Sequence, residues 1–584
     1  MTAIASKRAL WVGLAAVMGV ALIARVLLMA GGTVSFHSDE AVVGLMARGI
    51  LQGDRPTFFY GQAYMGSLDP WLVALGFAAL GESVWTIHLV QSVLFLGVVA
   101  ASYGAAYVLS GRVLVAAVAG LTLAVPTVLV ALYTTATLGG YNETLLLGAL
   151  IVLIGFPIHS GARSAWRWAL IGVLAGLGWW TNALIAVYLL PVALLLLVRL
   201  WQTRDEGVRL LVGPALALLG FALGSAPWWV FALEHDLAPL RFLFGSSGGG
   251  FASAEVSQPF GIRLIGLAAF GLPAALGLRF PWSPEWFAPV VGAAVVLIYA
   301  VGVVVLIRRR DVLKPGGRAL VLGMMALLGV VFLLSRFSND PTGRYFLPLT
   351  LPLGVVLGGL VWVIYNDPRL SAPSPSEPEG ETNESGVADF RPISNWEQGT
   401  GDEGKETPPA VRTRGGLRSA AALGVVALVL GYHAAGQIAA AQGPQGITTQ
   451  FNVAEHIPVG YDDALIEFLR DHDLAAGYAS YWSAFRLAFL SGGDVTFSAA
   501  LPPRDDLDWT PFYERIPAYR AAADAAPPVF LTAGTPAVDA ELERIFAEAG
   551  VTYSVQVIGP YRVYFGFAPP ERMPRPPLAF RQGS

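Results

Sequence analysis

The 584-residue chain contains no cysteine, which excludes disulfides and thiolate chemistry and leaves the redox compartment open. Charge is also scarce: 13% of residues are charged against 55% hydrophobic, with a mean hydropathy of +0.59. That balance excludes an ordinary soluble protein. The formal net charge of -4 is too small to suggest a nucleic-acid partner. No repeat of fixed period is evident, which argues against a solenoid.

What the chain has instead is a series of long apolar runs. Each crossing of a hydrocarbon core about 30 Å thick takes roughly 20 largely apolar residues. About eleven runs qualify: 9–30, 84–108, 113–132, 143–158, 167–181, 183–199, 209–230, 287–307, 318–335, 345–365 and 419–438. The expected fold class is an all-α polytopic membrane protein seated in a lipid bilayer. Gly 66 suits close helix packing in lipid. The first run follows Lys7 and Arg8 and meets Gly31-Gly32 without a convincing cleavage site, so it reads as an uncleaved anchor. With alternating spans, Arg112, Arg163, Arg167, Arg199, Arg204, Arg209, Arg308, Arg309, Arg310, Lys314 and Arg318 fall on the N-terminal side, which the positive-inside rule makes cytoplasmic. Loops 31–83, 133–142, 231–286 and 336–344, and everything after 438, are then extracytoplasmic. This is the topology of a multi-pass protein of the cell (inner) membrane.

Residues 367–416 are rich in Pro, Ser, Glu and Gly and read as a disordered cytoplasmic linker. It separates a transmembrane unit, 1–366, from the last span, 417–440. Beyond it, 441–584 changes character. Asp462 to Leu474, Trp482 to Leu490 and Val538 to Ala549 read as helices; AAGYAS reads as a strand, and Pro528 to Ala533 and Val551 to Val557 as buried strands. The expectation is a small extracytoplasmic α/β domain. It shows no phosphate loop or metal-ligand spacing and is assigned to acceptor handling or support.

The chemistry-bearing residues gather in the outer loops. Ser38-Asp39-Glu40 opens EAVVGLMARGILQGD, whose Val42, Val43, Met46 and Ile50 share one face. This reads as an amphipathic helix on the membrane surface, with Ser38 as N-cap and two first-turn acids favoured by the helix dipole. Such a helix start also holds a carboxylate beside a lipid-linked substrate. Glu143, in ATLGGYNETLLLGAL, is a second acid at a span end, where carboxylates usually face a cavity or partner. In SRFSNDPTGRYFLPLTLPLG, Arg336 and Arg344 bracket a turn, and Arg344 and Tyr345 lead into the tenth span. Arginines at the outer face run against the charge rule, and a guanidinium at headgroup depth suits a phosphate. Weaker substrate-binding candidates are His37, Tyr60, Gln62 and Tyr64; Trp179 and Trp180 read mainly as an aromatic belt. The stretch 259–278 reads as a partly inserted helix.

An Asp-Glu just past the first span, a surface helix, then SLDPWLVALGFAALGESVWTIHLVQSVLF, together resemble glycosyltransferase family 39. That family includes the protein O-mannosyltransferases and bacterial aminoarabinose transferases of the GT-C superfamily. The resemblance covers roughly residues 1–200 and is helped by GRYFLPL at 343–349. It implies a GT-C fold and a polyprenyl-phosphate sugar donor. It further implies Asp39 as the catalytic carboxylate, Glu143 as the acid of the second outer loop, and Arg344 as a donor-phosphate ligand. One departure is Leu68-Asp69-Pro70, where relatives often carry Lys-Pro or Pro-Pro. Asp69 is there as a further acidic site residue or a local cap.

The expected activity is transfer of a sugar to an extracytoplasmic acceptor (protein, lipid or glycan), with Asp39 as base, Glu40 and Glu143 as neighbouring acids, and inversion at the sugar carbon. The three acids could also bind a divalent cation, Mg2+ or Mn2+. The alternative from another class is a transporter or flippase for a lipid-linked glycan. That would place polar residues in broken helices at mid-membrane, whereas here they gather at span ends. A non-enzymatic scaffold would leave the first-loop acids without purpose.

Overall fold

The computed structural model describes residues 3–162, 164–205, 211–244, 259–335, 338, 340–366, 413–451, 456–458, 460–576 and 578. Of the expected linker 367–416, residues 367–412 lie outside the described residues, while 413–416 are not linker but the first turn of the last helix of the bundle. α1 (Ala3–Ala30) ends at the expected glycine pair. The first loop then builds α2 (Ser38–Gln52), a hairpin of β1 (Phe58–Phe59) and β2 (Gln62–Gly66), and α3 (Leu68–Leu80). The chain continues through α4 (Val84–Ser110), α5 (Val113–Ala124), α6 (Val128–Tyr133), α7 (Tyr141–His159), α8 (Ala165–Thr181) and α9 (Ala186–Gln202). α10 (Val212–Gly224) and α11 (Ala226–Glu234) follow, then α12 (Ala238–Phe244), α13 (Phe260–Ile265) and α14 (Leu272–Ala275) in the next connection. α15 (Pro289–Arg308), α16 (Gly317–Leu334), α17 (Thr350–Asn366) and α18 (Thr413–Gln442) complete the bundle.

Every expected span is occupied by helix, and the protein is a multi-pass membrane protein. Among the described residues eight helices are long and apolar enough to cross, or nine if α10 and α11, bent by 60° at their junction, count as one. The shortfall from eleven has local causes. The third run breaks at Pro126, which lacks a backbone donor, so α5 ends and α6 restarts from Thr127. The fifth run gives only the 17 residues of α8. Lipid-type packing is clearest between α8 and α10: a Cβ on Gly172 or Gly176 would meet the backbone at Ala217 or Phe221, and one on Gly220 or Gly224 would meet the α8 backbone. Small residues let the two backbones touch. The outward side chains of α10, Leu218, Leu219 and Leu223, stay exposed, as a hydrocarbon-facing surface requires. Buried Arg25 ties α1 to the end of α6, donating to the Thr134 carbonyl at 3.1 Å and lying 3.8 Å over the Phe95 ring.

After α18 come α19 (Asp462–Asp471), β3 (Ala476–Ser480), α20 (Tyr481–Leu490), β4 (Thr496–Leu501), α21 (Pro517–Ala525), β5 (Phe530–Ala533), α22 (Pro536–Ala549), β6 (Thr552–Ile558) and β7 (Tyr561–Ala568). The strands form one sheet in the order β4-β3-β5-β7-β6. β3 runs parallel to β4 and β5, and β7 antiparallel to β5 and β6. The expected α/β domain is present, with two further strands, β4 and β7. β6 is an exposed edge strand, not the buried strand expected, because it stands at the end of the sheet and pairs with β7 on one side only.

α2 also departs from expectation. It does not lie on a lipid surface: most of its residues, the apolar face included, are buried in protein, and it packs between α3 and α20 in a core shared by the first loop and the C-terminal domain. Gly44 lies against the Phe489 ring, leaving no room for a Cβ, and Arg48 donates to the Phe489 carbonyl at 3.0 Å. The segments leaving α1 and α18 pair as well. Ser35 N–H donates to the Ile447 carbonyl at 3.0 Å, and Ile447 N–H to the Thr33 carbonyl at 2.8 Å. The α/β domain is thereby fastened over one end of the bundle.

Candidate functional site

At that end, one cavity of about 710 Å3 is lined from three directions. Asp39, Tyr60, Gln62 and Tyr64 reach it from the first loop; Asp340, Arg344 and Tyr345 come from the turn before α17; Tyr481, Trp482 and Arg515 come from the C-terminal domain. Leu190 of α9 and Leu327 of α16 carry the lining down between the spans. There it meets a second, apolar groove of about 230 Å3 that both residues share with Pro191, Leu194, Leu320 and Gly323.

α2 presents Asp39 from its first turn. His37, not Ser38, is the cap: its Nδ1 accepts the Asp39 N–H at 3.3 Å, while its Nε2 contacts the Thr449 hydroxyl at 2.9 Å. Ser38 is drawn away by α20, its hydroxyl donating to the Trp482 carbonyl at 2.9 Å and accepting the Arg486 N–H at 3.3 Å. The Asp39 side chain is 40% exposed, and its Oδ1 accepts the Tyr481 hydroxyl at 2.6 Å. Burial, with the Asp39 charge, pushes the Tyr481 phenol well above its ordinary value, so it remains a donor. Oδ2 keeps no hydrogen-bond partner among the described residues and is available to a ligand.

Glu40 points into the protein. Fully buried, its Oε2 contacts His88 Nε2 at 3.0 Å and accepts the Thr137 N–H at 3.2 Å. Asp69 is buried beside it, accepting Gln91 Nε2 at 2.8 Å, the Thr137 hydroxyl at 2.6 Å and the Gly139 N–H at 3.4 Å. Burial pushes Asp69 up to about 6. Gln91 Nε2 also donates to Glu143 Oε1 at 3.4 Å. Glu40, Asp69 and Glu143 therefore form a buried network that leaves the cavity wall to Asp39. The expected convergence of Asp39, Glu40 and Glu143 on a cation is not formed: among the described residues no three acidic or histidine side chains gather at metal-binding distance. The reason is geometric, since successive helix residues diverge by about 100°.

On the opposite wall, Arg344 pairs with Asp340 at 2.6 Å and its Nη2 donates to the Tyr345 hydroxyl at 3.4 Å. The turn is anchored by buried Arg279, which donates to the Pro341 and Ser283 carbonyls, both at 2.7 Å. Arg336 lies outside the described residues. Tyr64 sits among the charged groups: burial raises its phenol, Arg344 and Arg515 pull it down, and Asp39 pushes it up. Tyr60 donates to Asp54 at 3.1 Å, and burial with the Asp54 charge pushes it up to about 12. Trp179 lines the cavity; Trp180 instead packs inward, donating to the Thr57 carbonyl at 2.9 Å. Tyr481, Trp482 and Arg515 were not anticipated. The only local signal is a loop, PPRDDLDWTPFYERIP, dense in arginines and aromatics.

A polytopic helical bundle whose first loop forms a small layer under a terminal α/β domain is the GT-C fold. The chain is similar to ArnT from Cupriavidus metallidurans bound to undecaprenyl phosphate, with a TM-score of 0.54 and 14% identity over 95% of this chain and 97% of that one. Against the same protein in the apo state the TM-score is 0.54 at 13% identity, over 95% and 98%. The apo oligosaccharyltransferase of Archaeoglobus fulgidus matches with a TM-score of 0.49 at 11% identity, over 92% and 71%. By sequence, no protein-family model and no curated protein matches the chain.

Proposed function

We propose that the protein is a family 39-type membrane glycosyltransferase, moving a sugar from a polyprenyl-phosphate carrier to a hydroxyl-bearing acceptor at the extracytoplasmic face of the inner membrane. The observation that carries this is one cavity holding a half-exposed carboxylate, Asp39, and a guanidinium, Arg344, at the head of an apolar groove between two spans. A prenyl chain suits that groove, and its phosphate then comes to rest at Arg344. ArnT, which shares the fold, carries undecaprenyl phosphate in its structure, which supports the same ligand class here. The orientation follows from the positive-inside count. Residues 1–366 with the last span form the catalytic unit, and 441–584 form a roof that also contributes to the site.

In the proposed step Asp39 Oδ2 accepts the acceptor's hydroxyl proton as that oxygen attacks the anomeric carbon. The bond from that carbon to the phosphate oxygen breaks, and the electron pair leaves with the polyprenyl phosphate. Arg344 stabilises the charge developing there. A single displacement inverts the sugar carbon. Tyr60, Gln62 and Tyr64 offer hydrogen bonds and ring faces to the sugar, and Tyr345 backs Arg344. His37, Glu40, Asp69 and Glu143 act as positioning residues, holding α2, α3 and α7 in register.

The test is a panel of radiolabelled polyprenyl-phosphate sugars offered to the full-length protein in nanodiscs, scoring released lipid phosphate and labelled acceptor. Asp39→Asn should abolish transfer with an unchanged melting temperature, and full turnover in that variant would sink the base assignment. Movement of labelled lipid between leaflets of a vesicle, without sugar transfer, would establish the flippase instead.

A further inference from the structure

Arg515 follows the Pro511–Tyr513 turn and precedes α21. It is 8% exposed and lines the same cavity as Asp39. Among the described residues no carboxylate pairs with it. With the Gln62 amide oxygen turned toward it, Nη1 and Nη2 donate to that oxygen at 2.9 and 2.6 Å. The guanidinium carbon lies 3.9 Å from the Phe512 ring centroid and 5.7 Å from that of Tyr481. An amide oxygen, two ring faces and the adjacent Tyr481 hydroxyl orient the guanidinium without placing a carboxylate on it, and a buried charge left so is costly.

The slot is built from both halves of the protein. Gly61, at a φ of +71°, places its backbone where an added Cβ would come within 3.2 Å of Arg515 Cδ, so the first-loop hairpin turn is shaped to admit this side chain. Were Arg515 only a clamp between hairpin and domain, a carboxylate at position 62 would hold it more strongly. An amide there fixes the fork and leaves its charge for something that enters the cavity. The rest of the lining points the same way. Of the two aspartates in that lining, Asp39 and Asp340, Asp340 is already committed to Arg344 at 2.6 Å.

We propose that Arg515 is a second anion-binding residue of the site, supplied by the C-terminal domain, which holds a phosphate or carboxylate group of the substrate beside Asp39. Tyr481 connects the two, donating to Asp39 at 2.6 Å while its ring lies beside the guanidinium. The anion has two possible sources: the phosphate of the prenyl-linked donor, or an acidic group on the transferred sugar or the acceptor. The proposal rests on the donor-site reading above, and the experiment separates the two.

Full-length protein in nanodiscs is titrated with polyprenyl phosphate and with uncharged polyprenol of equal length, and then, when saturated with polyprenyl phosphate, with inorganic phosphate. Arg515→Gln removes the charge. Gln62→Glu keeps the arginine but gives it a carboxylate, so it tests the charge without loosening the interface. If Arg515 holds the donor phosphate, both variants weaken polyprenyl phosphate binding about tenfold or more and leave polyprenol binding unchanged. If the anion comes from sugar or acceptor, polyprenyl phosphate binding is unchanged, and the loaded wild type binds inorganic phosphate where both variants do not. Unchanged affinity in every titration overturns the proposal. A wild type that binds polyprenol as tightly as polyprenyl phosphate defeats the donor-site reading instead, with the inorganic phosphate titration still judging Arg515.

Discussion

Tyr481→Phe isolates the contribution of the C-terminal domain to the chemistry. The hydroxyl donates to Asp39 Oδ1 at 2.6 Å, while the ring packs against Trp482, Phe485 and Tyr513 with centroids 5.1, 5.3 and 5.6 Å away. Phenylalanine keeps the ring and removes only the donor. A hydrogen bond to a charged acceptor is worth about 1.5–3 kcal/mol. Because the Asp39 side chain is 40% exposed, water recovers part of that, and the lower end is the better guide. About 1.5 kcal/mol, expressed wholly in the transition state, slows transfer roughly tenfold. In a steady-state assay with a labelled polyprenyl-phosphate sugar, kcat should fall by about that factor, with donor KM unchanged and the melting temperature lowered by a few degrees at most. The phenol stays protonated, so the deficit should not vary with pH between 6 and 8. An unaltered kcat, or a loss confined to KM, would refute the idea that Tyr481 positions Asp39.

Arg344→Ala should weaken polyprenyl phosphate binding by at least roughly tenfold in calorimetry; full affinity would remove it from the donor site. Gly323→Trp should fill the groove between α9 and α16, where a Cβ on the glycine would lie in ordinary contact with Pro191, 3.8 Å from its Cβ, and the rest of an indole would reach into the groove. Rates with long-chain donors should drop several-fold while short-chain donors are spared, and equal loss for both would argue against a prenyl groove. Asp69 is raised from 3.8 to about 6 in the folded protein, so its protonated form stabilises the fold. That contribution is complete below pH 4 and is lost as pH rises through 6. The melting temperature of wild type minus that of Asp69→Asn should therefore decline from pH 4 to pH 6.5, and a flat difference would contradict the burial argument.

The spans were legible because lipid imposes a length and an apolarity that survive in a single sequence, even where Pro126 later splits one run. Asp39 and Arg344 were legible as candidates because they stand just beyond span ends, where polar residues are conspicuous against the apolar runs, and Tyr64 because it lies in the long outer loop between the first two spans. α2 was misjudged for the same reason. Its apolar face suggested lipid, but that signal is identical whether Val43 and Met46 meet a membrane or, as here, a protein core shared with Phe485 and Phe489. Ser38 looked like a cap until α20 claimed its hydroxyl. The partnership of Asp39 with Tyr481 left no local trace, since the two residues are 442 positions apart and nothing in the spacing of either announces the other. Glu40 and Glu143 were singled out as acids at a membrane edge; their common buried network depends on Gln91 and Thr137, which carry no charge to draw notice.

The parallel pairing of the segments behind α1 and α18 bears on the order of assembly. The His37 to Thr449 contact closes 412 residues of chain, and contacts of such long range are the last to be made in folding. The spans can insert one by one during synthesis, yet Asp39 receives its tyrosine and the cavity its roof only after the final span has crossed and the domain behind it has folded. A chain cut short before Gly446 would sit in the membrane with its first loop open, able to meet lipid but without a finished chamber in which to use it. Crossing of α18 and folding of the α/β domain thus become the step that closes the chamber.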